Sequence, residues 1–333
     1  MTTEPLAKAA NPPTATGTAQ AVMPPVAEEQ ASLWGDAWAR LRANRIAMAG
    51  LLVIVVFLVL AVAGPYLTPY DFLSQDLAAR NQPPGWAHWL GTDELGRDVL
   101  SRIVYGARTA LIVALVVTAI SVAIGAVLGA VSGYFGGAVD GTIMWITDLF
   151  MSVPNLLLVI VVNTSLKPPL ARWLDSLYAA TQNPFFRSTS IIDFTLVFGS
   201  IALVSWPPYA RLVRAQVLSI RQRPYVLAGR ALGLPPGRII RRYVIPNAIG
   251  PLIVAVSAGL GAAMTMESAF SFLGIGVQPP TPSWGLMIAD GLRTWQQYPH
   301  LLAAPAATLA IITVAFSFVG DGLNDALNPK GAK

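Results

Sequence analysis

The 333-residue chain has no cysteine, only two histidines and few charged residues. Without cysteine there can be no disulfide bond and no thiolate ligand for a metal, and His88 and His300 alone cannot form a histidine-rich metal cluster. Charged residues make up 12% of the chain, whereas a soluble domain has about a quarter and needs that charge to cover its surface. Together with 54% apolar residues and a mean hydropathy of +0.58, this composition indicates a polytopic membrane protein. Its apolar runs have the length of membrane-spanning helices, so the predicted fold is all-α.

Several sequence motifs of enzymes are also missing. The chain has no Gly-x-x-x-x-Gly-Lys-Ser/Thr loop, so it cannot bind and hydrolyse ATP by that mechanism. It has no His-Glu-x-x-His motif, no nucleophile with an adjacent base and no paired membrane carboxylates, which an intramembrane protease or transferase would need. We therefore expect a protein that is not an enzyme and holds no metal or other cofactor.

The N-terminal segment differs from the rest of the chain. Residues 1–33 are rich in Ala, Pro, Thr and Gln without apolar periodicity, which predicts a disordered tail. The first long apolar run begins near Ile46, too far along for a secretory signal. Residues 34–66 are predicted to hold an interfacial helix, rich in Trp, Leu and Arg, and then the first transmembrane helix. A simple basic flank to that transmembrane helix is the alternative interpretation.

Six transmembrane helices are predicted from windows of roughly 20 mainly apolar residues, the length that crosses a hydrocarbon core about 30 Å thick. They are 46–66, 109–131, 143–163, 192–209, 247–272 and 302–320. On this division, 67–108 is an extracytoplasmic connection, 109–320 is a five-helix core that contains a loop at 210–246, and 321–333 is a tail. An even number of spans places both termini on the same side of the membrane.

The arginines indicate which side that is. Eight arginines and no acidic residue occur between Arg211 and Tyr243, so the positive-inside rule makes this loop cytoplasmic. Arg40, Arg42 and Arg45 place the N-terminus on the same side, whereas 67–108 mixes arginines with acidic residues. Because the loop lacks the interleaved aromatic residues of a base-stacking surface, we expect no nucleic-acid binding.

The cytoplasmic loop has the pattern of two helices separated by a break. Pro224 suits a first helical turn, Gly233 suits a left-handed helix end, and Pro235 with Pro236 predicts the break before a second short helix. A connector between two spans does not require such a hairpin.

This segment resembles the EAA loop of ABC importer permeases, which has a Glu-Ala-Ala start, a later Gly and an apolar-Pro pair. Ala228, Gly233 and the pair Ile245 and Pro246 stand at matching places. Two positions depart from the pattern, because Pro224 replaces the usual Glu and Gly229 replaces the second Ala.

Four further segments are similar to those of dipeptide, oligopeptide and nickel permeases of the second-subunit type. They are Leu90–Arg102, Gly133–Asp140, Ser271–Gly285 and Gly320–Leu327. Trp145 and Asn324 stand where that family usually has Arg, which affects local pairing but not the resemblance.

The resemblance implies the type I ABC importer permease fold and a role in the bacterial inner membrane, with both termini cytoplasmic. The chain would form the translocation pathway for dipeptides or oligopeptides, with nickel complexes or another small solute as the alternative. Its implied partners are a second homologous permease subunit, two ATPase subunits that bind ATP and Mg, an extracytoplasmic solute-binding protein and membrane lipid. The implied ATPase-coupling residues are Ala228, Gly229, Arg230, Gly233, Leu234, Arg238 and Pro246.

Two carboxylates in predicted spans are candidates for pathway or gating residues. Glu267 lies deep in the fifth span, where a charge costs roughly 3 kcal/mol or more unless it faces protein or water. A hydrogen-bonded structural carboxyl is the alternative for Glu267. Asp148, in the third span, lacks the family Arg in its own turn and is expected to pack against another span. A proton-coupled secondary transporter would use Glu267 but normally shows repeated halves, and no such repeat is visible.

Overall fold

The computed structural model describes residues 33–183 and 189–327, which form helices and loops with no β-strand among them. The predicted tail lies outside these residues apart from Leu33. The helices are α1 Leu33–Ala43, α2 Arg45–Leu67, α3 Val99–Phe135, α4 Gly137–Ser152, α5 Asn155–Thr181, α6 Thr189–Ile220, α7 Pro224–Ala231, α8 Pro236–Ile239, α9 Ile245–Phe272, α10 Trp284–Thr294 and α11 Pro299–Leu327. The predicted all-α membrane fold is confirmed.

Five helical stretches are long and apolar enough to cross a membrane by themselves. They are Arg45–Leu67, Val99–Phe135, Phe194–Ile220, Pro236–Phe272 and Pro299–Leu327. Helices α4 and α5 meet the same criterion only as a pair, and they are bent by 91° at their junction. Counted as one span, the pair brings the number to the predicted six.

The prediction of one continuous third span at 143–163 was wrong, because the bend falls inside it. Pro154 has no backbone N–H to continue the helix, and it forces Val153 into an extended conformation with φ −94° and ψ 131°. A hydropathy window counts apolar residues and does not register the direction of the chain.

Three other helices are longer than the apolar windows. Helix α3 begins at Val99 rather than at 109, because the Asp98 carboxylate accepts a hydrogen bond from the Ser101 N–H at 2.7 Å and caps the helix there. Helix α6 continues to Ile220, so Arg211 and Arg214 lie on a helix and not in the predicted loop. Helix α11 continues to Leu327, well into the predicted C-terminal tail.

The predicted interfacial segment forms α1. Asn44 separates it from α2 and accepts hydrogen bonds from the N–H groups of Ile46 and Ala47, each at 3.1 Å, which starts the second helix. Leu41 of α1 is buried with Ala326 near the end of α11. The first and last helices are thereby joined at one end of the bundle.

Helix α3 is the central element, and α6 packs along it at very short range. A Cβ atom added at Gly125 would lie 2.5 Å from the Tyr209 Cβ, and one at Gly129 would lie 2.4 Å from the Ala210 carbonyl oxygen. Glycines at this interface therefore set the spacing of the two helices, as small residues do in membrane bundles. Ser121 of α3 adds a hydrogen bond to the Ala202 carbonyl at 3.3 Å.

Helix α10 follows the Gly- and Pro-rich segment after α9, and the sequence did not predict it. The Trp284 indole N–H donates to the Ile103 carbonyl of α3 at 3.0 Å, and the ring packs against Gly106. The side chain is 1% exposed and lies 6.0 Å from the Phe57 ring of α2. Trp284 therefore holds α2, α3 and α10 together.

The segment Leu90–Arg102 folds around two carboxylates. Asp93 accepts from Arg97 Nε at 2.8 Å and also contacts Arg102, while Asp98 contacts His88 Nδ1 at 2.9 Å. Asp290 of α10 lies beside this cluster. Burial raises the pKa of the Asp290 carboxyl above its usual range, and the nearby Arg102 opposes that rise.

We predict that Gly129→Ala destabilises the bundle, because the added methyl would overlap the Ala210 backbone and overpacking costs about 1–3 kcal/mol. Gly199→Ala on α6 is the matched control, since no atom lies within 4 Å of its added Cβ. Thermal unfolding of the purified protein in detergent measures both. A Gly129→Ala midpoint at or above that of Gly199→Ala would contradict the assigned helix spacing.

Candidate functional site

The basic hairpin, residues 224–246, begins with α7 and turns sharply at Gly233. Pro224 occupies the first turn of α7, as predicted, and Gly233 has φ +72° in the left-handed region. The Gly233 N–H donates to the Arg230 carbonyl at 2.9 Å, and the Leu234 N–H donates to the Gly229 carbonyl at 3.1 Å. No atom lies within 4 Å of an added Cβ at Gly233, so glycine is required there by the backbone conformation and not by space.

The second helix of the hairpin is not separate from the fifth span. Helix α8 passes into a π-helical turn, Ile240–Val244, and then directly into α9. The Ile245 N–H bonds to the Ile240 carbonyl, and Pro246 follows without an N–H to offer. The expectation of a short independent helix is corrected: the hairpin ends as the first turns of α9.

The hairpin is anchored to the bundle by buried apolar contacts and by arginines. Val226, Ile239 and Val244 are fully buried in a cluster with residues of α3 and α6. The Arg230 guanidinium lies 4.6 Å from the centre of the Tyr134 ring of α3, a cation–π contact. Displacement of the hairpin would therefore be transmitted to the spans.

Three arginines of the hairpin face outward. Arg238, Arg241 and Arg242 are exposed and line an open cavity of about 730 Å³, together with Gly237 and Pro246. In the part of the chain that the structure describes, no carboxylate forms an ion pair with any of the three. This surface is suited to an acidic partner.

The remaining predicted coupling residues lie around the turn. Ala228 is exposed on α7, whereas Gly229 is buried. A Cβ atom added at Gly229 would lie 3.4 Å from the Leu234 side chain. Gly229 therefore keeps the two arms of the hairpin close, while Ala228 and Arg238 are available to a partner.

Asp148 contacts another helix, α6, through an ion pair. Its carboxylate lies 2.5 Å from the Arg211 guanidinium of α6, and 62% of its side chain is exposed. An exposed pair of this kind is worth about 0–1 kcal/mol. The partner was missed in the sequence because Arg211 was placed in a loop.

Asp140 forms a second pair that the sequence did not reveal. Arg214 binds its carboxylate through two nitrogens, Nε at 2.5 Å and Nη2 at 2.6 Å, and Ser132 also contacts it. This two-point geometry fixes the start of α4 on α6.

Glu267 lies inside the protein with hydroxyl partners. It is 1% exposed, and its carboxylate accepts from Ser271 at 2.6 Å, Ser283 at 2.9 Å and Ser268 at 3.4 Å. Ser283 directly precedes Trp284, so the carboxylate ties the end of α9 to the start of α10. This geometry favours the structural carboxyl over a pathway residue.

A cavity of about 400 Å³, here called the central cavity, opens between α3, α6 and α9. Among its lining residues are Thr118, Ser121, Ser205, Tyr209 and Met266, and none of the lining residues is charged. The described residues contain no group of three His, Asp or Glu that could hold a metal ion. This cavity was not predicted from the sequence, in which the usable signal was hydroxyl residues inside two apolar spans together with the many Gly and Ala residues of α9.

Comparison with known proteins gives two family matches. Residues 122–333 match the family described as "Binding-protein-dependent transport system inner membrane component". Residues 32–84 match the "N-terminal TM domain of oligopeptide transport permease C".

Curated relatives align over almost the whole chain. The dipeptide transport system permease protein DppC of Bacillus subtilis is 40% identical over 300 residues, which cover 89% of this chain and 85% of the relative. The oligopeptide transport system permease proteins OppC of Bacillus subtilis and Escherichia coli are 35% and 36% identical, over 92% and 91% of this chain and 92% and 93% of the relatives. The chain belongs to the family of binding-protein-dependent transport system inner-membrane components.

Proposed function

We propose that this chain is the permease subunit of an ATP-driven importer and forms part of the pathway for dipeptides or oligopeptides across the bacterial inner membrane. The observation that carries the proposal is the basic hairpin, which is anchored on α3 and α6 and continuous with α9. The relatives named as dipeptide and oligopeptide permeases favour peptides over nickel complexes as the solute.

ATP hydrolysis belongs to separate subunits in this proposal. The chain has no phosphate-binding loop, and its exposed arginines at 238, 241 and 242 offer a docking surface to one of two ATPase subunits that bind ATP and Mg. A second homologous permease completes the pathway, and an extracytoplasmic solute-binding protein delivers the peptide. Because α8 continues into α9, movement of the hairpin by an ATPase would turn α9 and alter the central cavity.

Glu267 has a structural role in this proposal. Its carboxylate holds the serines that join α9 to α10, and Trp284 then fixes α10 on α3. The joint stabilises the end of the bundle far from the hairpin.

The proposed function is tested first by reconstituting the chain with its partner subunits in liposomes. ATP-dependent accumulation of a labelled dipeptide is expected in the presence of the solute-binding protein. Accumulation of nickel but not of peptide would overturn the choice of solute, and accumulation without ATP would overturn the class of transporter.

We predict that Gly233→Val is inserted normally but no longer couples ATP hydrolysis to transport. A non-glycine residue in the left-handed conformation costs about 1–2 kcal/mol, and a β-branched side chain costs more, so the turn should open. Co-purification of the ATPase subunits and peptide-stimulated ATP hydrolysis measure the effect. Gly141→Val is the control, because nothing lies within 4 Å of its added Cβ. Normal coupling in Gly233→Val would refute the role of the hairpin.

Both termini are predicted to be cytoplasmic, and the natural lack of cysteine makes this simple to test. Single cysteines at Ser74 and Ser176 should react with an impermeant thiol reagent applied from outside, whereas one at Leu232, which is 82% exposed on the hairpin, should not. Ser176 also tests whether α4 and α5 cross the membrane as one bent span. Labelling of Leu232 from outside would reverse the orientation.

Glu267→Leu is predicted to lower thermal stability, because hydroxyl groups left without partners in the interior cost about 1–3 kcal/mol each. Glu267→Gln keeps an acceptor and a donor, so it should unfold close to the wild-type midpoint. Peptide uptake, normalised to inserted complex, should be retained in both variants. A Glu267→Leu protein of normal stability that transports no peptide would restore Glu267 as a pathway residue.

A further inference from the structure

The central cavity contains one buried hydroxyl group for which the described residues offer no partner. Thr118 of α3 is 4% exposed, lines the cavity, and its Oγ1 atom has no hydrogen-bond partner among the residues that the structure describes. A buried hydroxyl without a partner costs free energy, so we expect a polar group, either water or a solute, to bind it at the cavity wall.

The hydroxyl of Tyr209 lies at the same wall of the cavity, against Gly259 of α9. A Cβ added at Gly259 would lie 1.9 Å from the Tyr209 hydroxyl oxygen and 3.7 Å from Thr118 Cγ2. Tyr209 of α6 therefore occupies space that only a glycine leaves free. Three different helices thus present Thr118, Tyr209 and Gly259 to one cavity wall.

The described lining of the cavity is uncharged, and the carboxylate of α9 lies outside it. Met266 lines the cavity, whereas the next residue, Glu267, is enclosed by serine hydroxyls near α10. Successive residues of a helix point about 100° apart, so one side chain faces the cavity and its neighbour does not. The lining therefore offers hydrogen bonds without a preference for solute charge.

We propose that the central cavity binds the main-chain amide groups of a peptide in transit, with Thr118, Ser205 and Tyr209 as hydrogen-bonding groups. This inference rests on the proposed peptide-importer function. A volume of about 400 Å³ is within the range of roughly 300–1,000 Å³ that small-molecule sites occupy. A lipid acyl chain is the poorer occupant, since it would leave the Thr118 hydroxyl unpaired.

The neutral lining has a functional consequence. Every peptide has main-chain amides, whereas side-chain charge varies from one peptide to another. An uncharged wall, largely apolar with hydroxyl groups and the Asn155 amide as its polar positions, therefore passes cationic and anionic peptides alike and leaves selection to the solute-binding protein.

Substitutions at Ser205, which is half-buried at the cavity wall, test this neutrality. Ser205→Asp and Ser205→Asn have nearly the same shape and differ in charge. In liposomes that contain the complete importer, with saturating binding protein, Ser205→Asp should raise the ratio of cationic to anionic dipeptide uptake by about three- to tenfold, the order of effect expected for two unit charges about 4 Å apart in a water-filled cavity. Ser205→Asn should leave the ratio at the wild-type value. Equal ratios in the two variants would overturn the proposal.

Water access is measured separately with cysteine in the assembled complex. Ser205→Cys should react with an impermeant methanethiosulfonate reagent during ATP turnover at least about tenfold faster than Ser317→Cys. Ser317 lies on the exposed face of the apolar span α11, where we expect lipid to shield it from the reagent. Excess dipeptide should slow the reaction of Ser205→Cys. A thiol that is as slow as Ser317→Cys would show a cavity filled by lipid or by the second permease, and would overturn the proposal. This measurement requires no peptide transport, so failure of wild-type uptake would count against the proposed function alone.

Discussion

The close approach of α3 and α6 is the constraint on which the rest of the bundle depends. Gly125, Gly129 and Gly133 let the backbone of α6 lie almost against α3, and a methyl group at any of the three would overlap it. In a bilayer the lipid is as apolar as the protein, so close packing and hydrogen bonds between helices replace the hydrophobic effect as the source of stability. The other helices are then arranged around this pair.

The α3–α6 pair is connected to α9 by contacts at both of its ends. At one end, the basic hairpin buries Val226, Ile239 and Val244 against the pair and continues into α9. At the other end, Glu267 and Trp284 connect α9 to α3 through α10. The central cavity lies between these two joints, so a helix held at both ends forms one of its walls.

Much of this arrangement could be predicted from the sequence, because apolar length, arginine placement and turn residues are local signals. The positive φ of Gly233 and the position of Pro224 in a first turn followed from residue chemistry. The Arg211 partner of Asp148 and the Ser283 partner of Glu267 could not be predicted, since they depend on which residues meet across 63 and 16 positions of the chain. The bend at Pro154 was missed because an apolar window has length but no direction.

The π-helical turn at Ile240–Val244 interrupts the regular α-helical geometry where the basic hairpin continues into the fifth span. A π turn contains an additional residue relative to an α turn, which changes the angular position of Arg238, before the turn, relative to the cavity-facing residues after it. Natural substitutions could therefore alter the docking face and the cavity face of one continuous helix independently.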